Sequence, residues 1–374
     1  MTVMRIICDT QSLTEVCLNV QRCVPAKAVL PHIEGILIKT AGTSEIELTG
    51  FDLDLGVTSV MEVNVERAGA AVLNAKTLCD ILRHLPDDTV TIDCDEKNVC
   101  TVKSGDMEYT LVSLSPEEYP ELPKITDETR IEISQRVLKD MIRQTIFAVS
   151  LDDSKAVHRG IKFEIVAGEI KLIALDGYRL AIRKEFIDYN GEDISFVVPA
   201  KTLSELIKLI GDDDSFLEVK KGKRHISFSV NGYELISKLL EGEFLDYRAA
   251  IPTAKSTVVR VNTKNFIDSI ERTSIIITEK MRSPLRFIFD EEQIKISVIT
   301  ALGSANDKLA ASIDGKRTEI GFNNRFIMDA LRSCDTDEVL IQLNGPFSPA
   351  IILPPDGDSF LYLVLPVRIK NDNS

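Results

Sequence analysis

The chain has 374 residues, 44% hydrophobic and 27% charged, which suits two or three domains with proper cores and excludes a disordered or fibrous polymer. Its formal net charge of −14 excludes a general nucleic-acid coat, because most of the surface repels phosphate. A locally basic lining is still compatible with that sum, since salt screens charges beyond about 8–10 Å.

The seven cysteines (Cys8, Cys17, Cys23, Cys79, Cys94, Cys100 and Cys334) are odd in number and include no CxxC pair. Buried reduced thiols are therefore expected, rather than a disulfide framework or a zinc site. The opening MTVMRIICDTQSL lacks the basic region and long apolar core of a signal peptide, and apolar runs such as 360–367 are too short to span a bilayer. The expectation is a cytoplasmic protein.

In chain order, a short strand at 5–8 leads into a helix at 12–23, with Leu13, Val16, Cys17 and Val20 on its apolar side. Strands are predicted at 35–39, 45–50 and 56–63, then a helix in VLNAKTLCDILR (72–83). Strands at 90–94, 99–103 and 108–112 follow, then a Pro-rich linker at 115–123. The pattern begins again with a strand at 130–133, a helix at 134–149 and strands at 160–165, 169–175 and 179–185. It continues with a helix in VVPAKTLSELIK (197–208), strands to 240 and a linker at 244–252. A third cycle has a strand at 257–261, a helix at 265–277, the helix GFNNRFIMDALR (321–332) and strands ending at 367.

The three quoted stretches are copies displaced by 125 and 124 residues. Asn74, Pro199 and Asn323 suit helix starts. Apolar residues follow at helical spacing: Leu78, Ile81, Leu82 and Leu85; Leu203, Leu206, Ile207 and Ile210; Ile327, Ala330 and Leu331. Opposite them stand two basic residues seven positions apart, nearly two turns and so on one face: Lys76 and Arg83, Lys201 and Lys208, Arg325 and Arg332. A single such helix reads as a solvated face with weak i,i+4 pairs, Lys76–Asp80, Lys201–Glu205 and Arg325–Asp329. Three in register read as a basic face presented once per repeat. Lys139, Arg143, Lys264 and Arg272 on the first helices add to it less regularly. The repeats, 1–126, 127–254 and 255–374, each read β-α-β-β-β-α-β-β-β, an α+β fold of antiparallel sheets. Quasi-equivalent units joined head to tail close into a ring or propagate; with helices inside, the basic faces surround a hole.

The VPAKTL helix, ALDGYRLA (174–181), LDYRAAIP (245–252) and LPVRI (365–369) together resemble the bacterial sliding clamp, the beta subunit of DNA polymerase III. The resemblance runs from Met4 to Ile369 without a large gap. It implies three clamp domains, half of a six-domain ring that a homodimer closes around duplex DNA. The implied function is a non-catalytic processivity factor, without cofactor or metal, that tethers the replicative polymerase, the clamp loader and other clamp-binding-motif proteins. Such a ring needs only weak, sequence-blind phosphate contacts, so that it slides. DNA contacts are implied at Lys27 (in VPAKAVLP), Lys76 and Lys201. A peptide groove between the second and third domains is implied at His158, Leu175, Asp176, Gly177, Tyr178, Arg179, Leu180, Leu245, Ala249, Ala250 and Phe326. The C-terminal segment contributes Leu363, Leu365, Pro366, Val367 and Arg368. Dimer contacts are implied at Tyr109, Leu111, Ile275 and Ile276. The chain departs from the family at His158, usually aliphatic, at Leu245, often Pro, at Ala249-Ala250, often bulkier and basic, and in the tail 370–374.

Two other readings are weighed against this one. Asp52 and Asp54 alternate as if on a strand, with both carboxylates on one face for a metal, and Asp152-Asp153 and Asp212–Asp214 are further acidic clusters. The four histidines are scattered, however, and no P-loop, GxSxG or HExxH occurs, so the Asp groups read better as turn formers; Asp52 and Asp176 align at an offset of 124. A non-ring interaction scaffold would share the fold and the groove.

Overall fold

A computed structural model describes residues 3–126, 128–152, 154–278 and 283–369. Asp153 and the tail 370–374, both singled out above, lie outside these residues. The first repeat runs β1 (Met4–Asp9), α1 (Thr10–Gln21), β2 (Gly35–Ala41), β3 (Glu45–Phe51), β4 (Leu55–Glu62), β5 (Asn64–Arg67), β6 (Ala70–Asn74), α2 (Ala75–Leu82), β7 (Thr89–Cys94), β8 (Val99–Ser104) and β9 (Met107–Val112). The second runs β10 (Thr129–Ser134), α3 (Gln135–Arg143), β11 (Gly160–Val166), β12 (Glu169–Leu175), β13 (Arg179–Phe186), β14 (Ile194–Pro199), α4 (Ala200–Leu209), β15 (Phe216–Lys221), β16 (His225–Val230) and β17 (Tyr233–Lys238). The third runs β18 (Thr257–Asn262), α5 (Thr263–Ser274), β19 (Leu285–Asp290), β20 (Gln293–Thr300), β21 (Gly303–Ala310), β22 (Ser312–Gly315), β23 (Thr318–Phe322), α6 (Asn324–Arg332), β24 (Glu338–Leu343), β25 (Ala350–Leu353) and β26 (Phe360–Val364).

The chain divides into two compact units, Met1–Arg136 with Lys201–Leu239, and Val137–Ala200 with Leu240–Ser374. The first unit holds a five-stranded sheet, β5-β1-β7-β8-β9, and an eight-stranded sheet, β10-β15-β16-β17-β4-β3-β2-β6. The second holds a nine-stranded sheet, β14-β11-β12-β13-β26-β25-β24-β18-β22, and a four-stranded sheet, β21-β20-β19-β23. The strand pairs are antiparallel, as short connections between successive strands require.

In the first unit α1 and α2 pack on each other, and α1 also reaches strands of both sheets. Gly50 permits that approach, because a Cβ there would stand 2.5 Å from the Val20 carbonyl oxygen. In the second unit α5 and α6 pair likewise over β20 and β21, around Phe266, Phe287, Phe289 and Phe322, all fully buried.

The structure corrects several expectations. Each repeat has an additional strand directly before its second helix: Val72 and Val197 lie in β6 and β14, and Gly321 lies in β23. Buried β-branched and apolar residues there favour the pleated surface, and the helices begin directly after the expected entry residues, at Ala75, Ala200 and Asn324. The helix predicted at 134–149 stops at Arg143, where the Thr145 hydroxyl turns back to donate to the Met141 carbonyl at 2.8 Å, and a short 3-10 turn, Ile146–Ala148, follows. The last strand ends at Val364, not 367. Cys94 and Cys100 form a disulfide: they sit opposite each other on β7 and β8, with Cα atoms 4.0 Å apart, so cross-strand register overrides the expectation of reduced thiols. Cys8, Cys17, Cys23 and Cys79 are free and buried; burial pushes the thiols of Cys8, Cys23 and Cys79 up to about 12, which keeps them unreactive.

Candidate functional site

Asn74 caps α2 by accepting from the Thr77 amide at 3.0 Å, and Asn323 caps α6 by accepting from the Arg325 amide at 3.0 Å. With Leu78, Ile81 and Leu82 buried under α2, and Ile327, Ala330 and Leu331 under α6, the outward faces carry Lys76, Arg83, Arg325 and Arg332, all exposed. Helix α4 buries Leu203 and Leu206 and exposes Lys201 and Lys208. Lys27, Arg143, Lys264 and Arg272 are exposed as well. Lys139 is not. It retains 6% of its surface, because Leu138, Met141 and Ile142 define the buried side of α3 and position 139 falls on its flank.

The expected i,i+4 pairs are replaced by others. Asp80 takes Arg83 at 3.5 Å, Glu205 takes Lys208 at 2.8 Å, and Asp329 takes Arg179 at 2.5 Å. Lys201 donates to Asp52, Arg332 meets Glu271 at 2.5 Å, and Arg272 meets Asp307 at 2.6 Å. Burial of Asp307 opposes its ionisation, but hydrogen bonds from Arg272 and Ser269 outweigh it and hold the carboxyl below its usual range. Lys27, Lys76, Arg143, Lys264 and Arg325 have no carboxylate partner among the described residues.

Within the second unit, β26 of the third repeat pairs with β13 of the second. This register aligns Leu175, Leu180, Leu363 and Ile351 across four strands, with Ile173, Ile182 and Leu361 in the next row. The linker lies over this apolar floor: Tyr247 is buried in it and Phe244 and Ile251 pack against it, whereas Leu245, Ala249 and Ala250 are exposed. Tyr247 donates to Glu164 at 2.8 Å. Burial of Glu164 disfavours its charge, yet Lys162, Tyr247 and Arg248 hold the carboxyl low.

One end of the floor is closed by the turn 176–178. Asp176 accepts from the Tyr178 and Arg179 amides at 2.9 and 3.0 Å, and Gly177 takes φ +89°, a conformation that glycine adopts without strain. The Arg179 guanidinium bonds Asp176 and Asp329 and lies 5.5 Å from the Phe147 ring centre and 4.7 Å from that of Phe326. Tyr178, 62% exposed, also stacks on Phe326, with ring centres 5.9 Å apart. Leu365 is partly buried against the floor and its amide donates to the Tyr178 carbonyl at 2.9 Å. Pro366 is half-buried, while Val367 and Arg368 are exposed. His158 is buried with its ring edge-on to Phe244 at 5.3 Å, and its Nε2 has no partner. Burial, then the charge of Lys155, lowers its pKa, so the ring stays neutral.

The apolar floor and its closing turn also include Phe147, Ile173, Ile182, Phe244, Tyr247, Ile351 and Leu361, which the sequence does not single out. The register of β13 against β26, which only the fold supplies, sets Leu361 beside Ile182 and, through β25, Ile351 in line with Leu180.

The acidic clusters do not converge. Asp52 accepts from the Asp54 and Leu55 amides in a turn after β3, not on a strand, and faces Lys201, while Asp54 pairs with Lys238 at 2.7 Å. No group of three or more metal-ligating side chains occurs among the described residues. No helix there is long and apolar enough to cross a membrane.

Family models for the DNA polymerase III beta subunit match the chain in order: the N-terminal domain over 4–123, the central domain over 132–246 and the C-terminal domain over 248–368. The chain belongs to the DNA polymerase III beta subunit family. It is 30% identical to the beta sliding clamp of Bacillus subtilis, over 98% of this chain and 100% of that one. It is 30% identical to the beta sliding clamp of Halalkalibacterium halodurans, over 94% and 96%. The solved DNA polymerase sliding clamp of Bacillus subtilis superposes with a TM-score of 0.96 at 28% identity, covering 99% of this chain and all of that one. The putative beta subunit of Eubacterium rectale superposes with 0.94 at 30%, covering 98% and 100%. As a member of this family, the chain is a DNA polymerase processivity factor, a non-catalytic subunit of the polymerase III holoenzyme.

Proposed function

We propose that two copies of this chain close head to tail around duplex DNA, with 1–126, 127–254 and 255–374 as clamp domains, in the cytoplasm. The observation that carries this reading is a repeated junction. The last strand of the second repeat, β17, pairs with the fourth strand of the first, β4; β26 of the third pairs in the same way with β13. The corresponding strands with no such neighbour are β9 and β21, and each ends its sheet. A second copy supplies the missing neighbour to both, and a closed ring leaves neither edge open. Tyr109 and Leu111 lie on β9, and Ile275, 79% exposed, caps α5 with the half-buried Ile276 beside it.

The exposed basic residues of α2 to α6 and Lys27 contact DNA phosphates without reading sequence, and the pairing of half of them with carboxylates keeps the grip weak. The groove of Leu175–Leu180, Leu363 and the linker takes an extended peptide from the polymerase, the clamp loader and other partners, with apolar anchors on the sheet face and Arg179 fixing the end. Reversing Lys76, Lys201 and Arg325 together is expected to weaken retention on DNA in a protein that keeps its fold. Unchanged retention in that variant contradicts the DNA-facing assignment.

A further inference from the structure

A pocket of about 530 Å³ opens in the first repeat between the last turn of α1 and the first turn of α2. Its wall carries Arg22, Lys76 and Arg83 against a single carboxylate, Glu34, whose Oε1 is occupied by the Ala28 amide at 2.8 Å. Arg22 makes only a long contact to Asn19 at 3.5 Å, Arg83 an equally long one to Asp80, and Lys76 has no carboxylate partner among the described residues. Three cations thus converge on one cavity with little to neutralise them.

The arrangement is particular to the first repeat: in the third, 249 residues on, Glu271 stands at the position of Arg22. At the 125-residue offset, Lys76 and Arg83 correspond to Lys201 and Lys208, but Arg22 corresponds to Phe147, which is committed to the Arg179 stack. The neighbouring Lys27 corresponds to Asp152. The second repeat therefore has the basic helix face without the pocket's third cation.

We propose that this pocket seats one phosphodiester of the encircled DNA, with Arg22 as its closing ligand, so that the first repeat grips where the others only repel drift. A guanidinium presents a planar fork to two phosphate oxygens, which a lysine on an open helix face does not. The proposal rests on the DNA-encircling reading and goes beyond it in naming one repeat and one residue.

The test is the salt dependence of binding to a short linear duplex, between 50 and 200 mM KCl. Each phosphate neutralised contributes about 0.9 to the slope of log K against log salt. Arg22→Gln is expected to lower that slope by about 0.9, with Arg22→Lys intermediate in affinity but wild-type in slope, both variants keeping the wild-type melting temperature. An unchanged slope in Arg22→Gln overturns the proposal. So does stabilisation of the wild type alone by inorganic phosphate, at matched ionic strength, with the DNA slope unchanged in the variant, because the pocket then serves a free anion. Absence of any salt-linked DNA binding by the wild type likewise overturns the proposal, because a seated phosphodiester must release counterions; the encircling reading is tested separately, by retention on circular DNA.

Discussion

Arg179 is held on every side: Asp176 and Asp329 bond its guanidinium, and Phe147 and Phe326 lie over its faces. Removing it leaves two partly buried carboxylates facing each other, so Arg179→Ala is expected to cost about 3 kcal/mol, measured by denaturant unfolding. Arg179→Lys is expected to recover little, because an ammonium neither stacks nor bonds both acids in one plane. A loss below about 1 kcal/mol would show that the pairs are worth no more than exposed ones.

His158 presents the opposite case. Its buried Nε2 is unpartnered, and such a group costs about 1–3 kcal/mol. His158→Leu, which introduces the type of side chain usual in the family, is expected to raise stability by about 1 kcal/mol. The pH dependence has a definite sign. The folded pKa is lowered, so between it and the unfolded value near 6.5 the unfolded chain binds the extra proton. Stability is therefore full above about pH 6.5 and falls as pH drops through the folded pKa. His225, lowered by burial and then by Lys238 and Arg224, acts in the same direction. The His158→Leu variant is expected to show a shallower decline from about pH 7 to 5 in urea midpoints; an identical decline would remove His158 from the account.

At the scale of elements, the threefold stretch was legible because helical periodicity and its start residues are local signals. Asn74 and Asn323 cap the helices that they precede. Asn74→Ala and Asn323→Ala are each expected to cost about 1 kcal/mol in thermal or urea unfolding, and Asn→Gly much less. What was not legible was non-local. Pro199 ends β14 by pairing with Gly160, a contact that no helix rule anticipates, and the short edge strands β5 and β22 have no alternation long enough to stand out. Lys139 falls off the basic face of α2 and α4 because the apolar triplet of α3 is set at different positions. The ion pairs depart from expectation for a non-local reason: Lys201 and Asp329 find their partners, Asp52 and Arg179, outside their own helices.

At the scale of the whole molecule, the repeat length was readable from the sequence, but the way in which one repeat hands its sheet to the next was not. That junction recurs twice within the chain and leaves β9 and β21 as its unmatched halves. The similarity in offset extends to the turns: Asp52, Asp176 and Thr300 stand 124 residues apart, and each accepts an amide from two residues on, at 3.0, 2.9 and 3.1 Å. Three copies of one unit, joined by one kind of contact, account for a polymerase subunit that needs no chemistry of its own. In the function proposed above it holds DNA by topology, with phosphate contacts weak enough to slide.

The most direct measurement is retention on nicked circular DNA after loading by a related clamp loader with ATP, followed by linearisation. The protein is expected to stay on the circle, to leave once the DNA is cut, and to be kept on when the ends are blocked. Equal retention on circular and open-ended linear DNA would mean binding to the DNA surface, and would contradict encirclement.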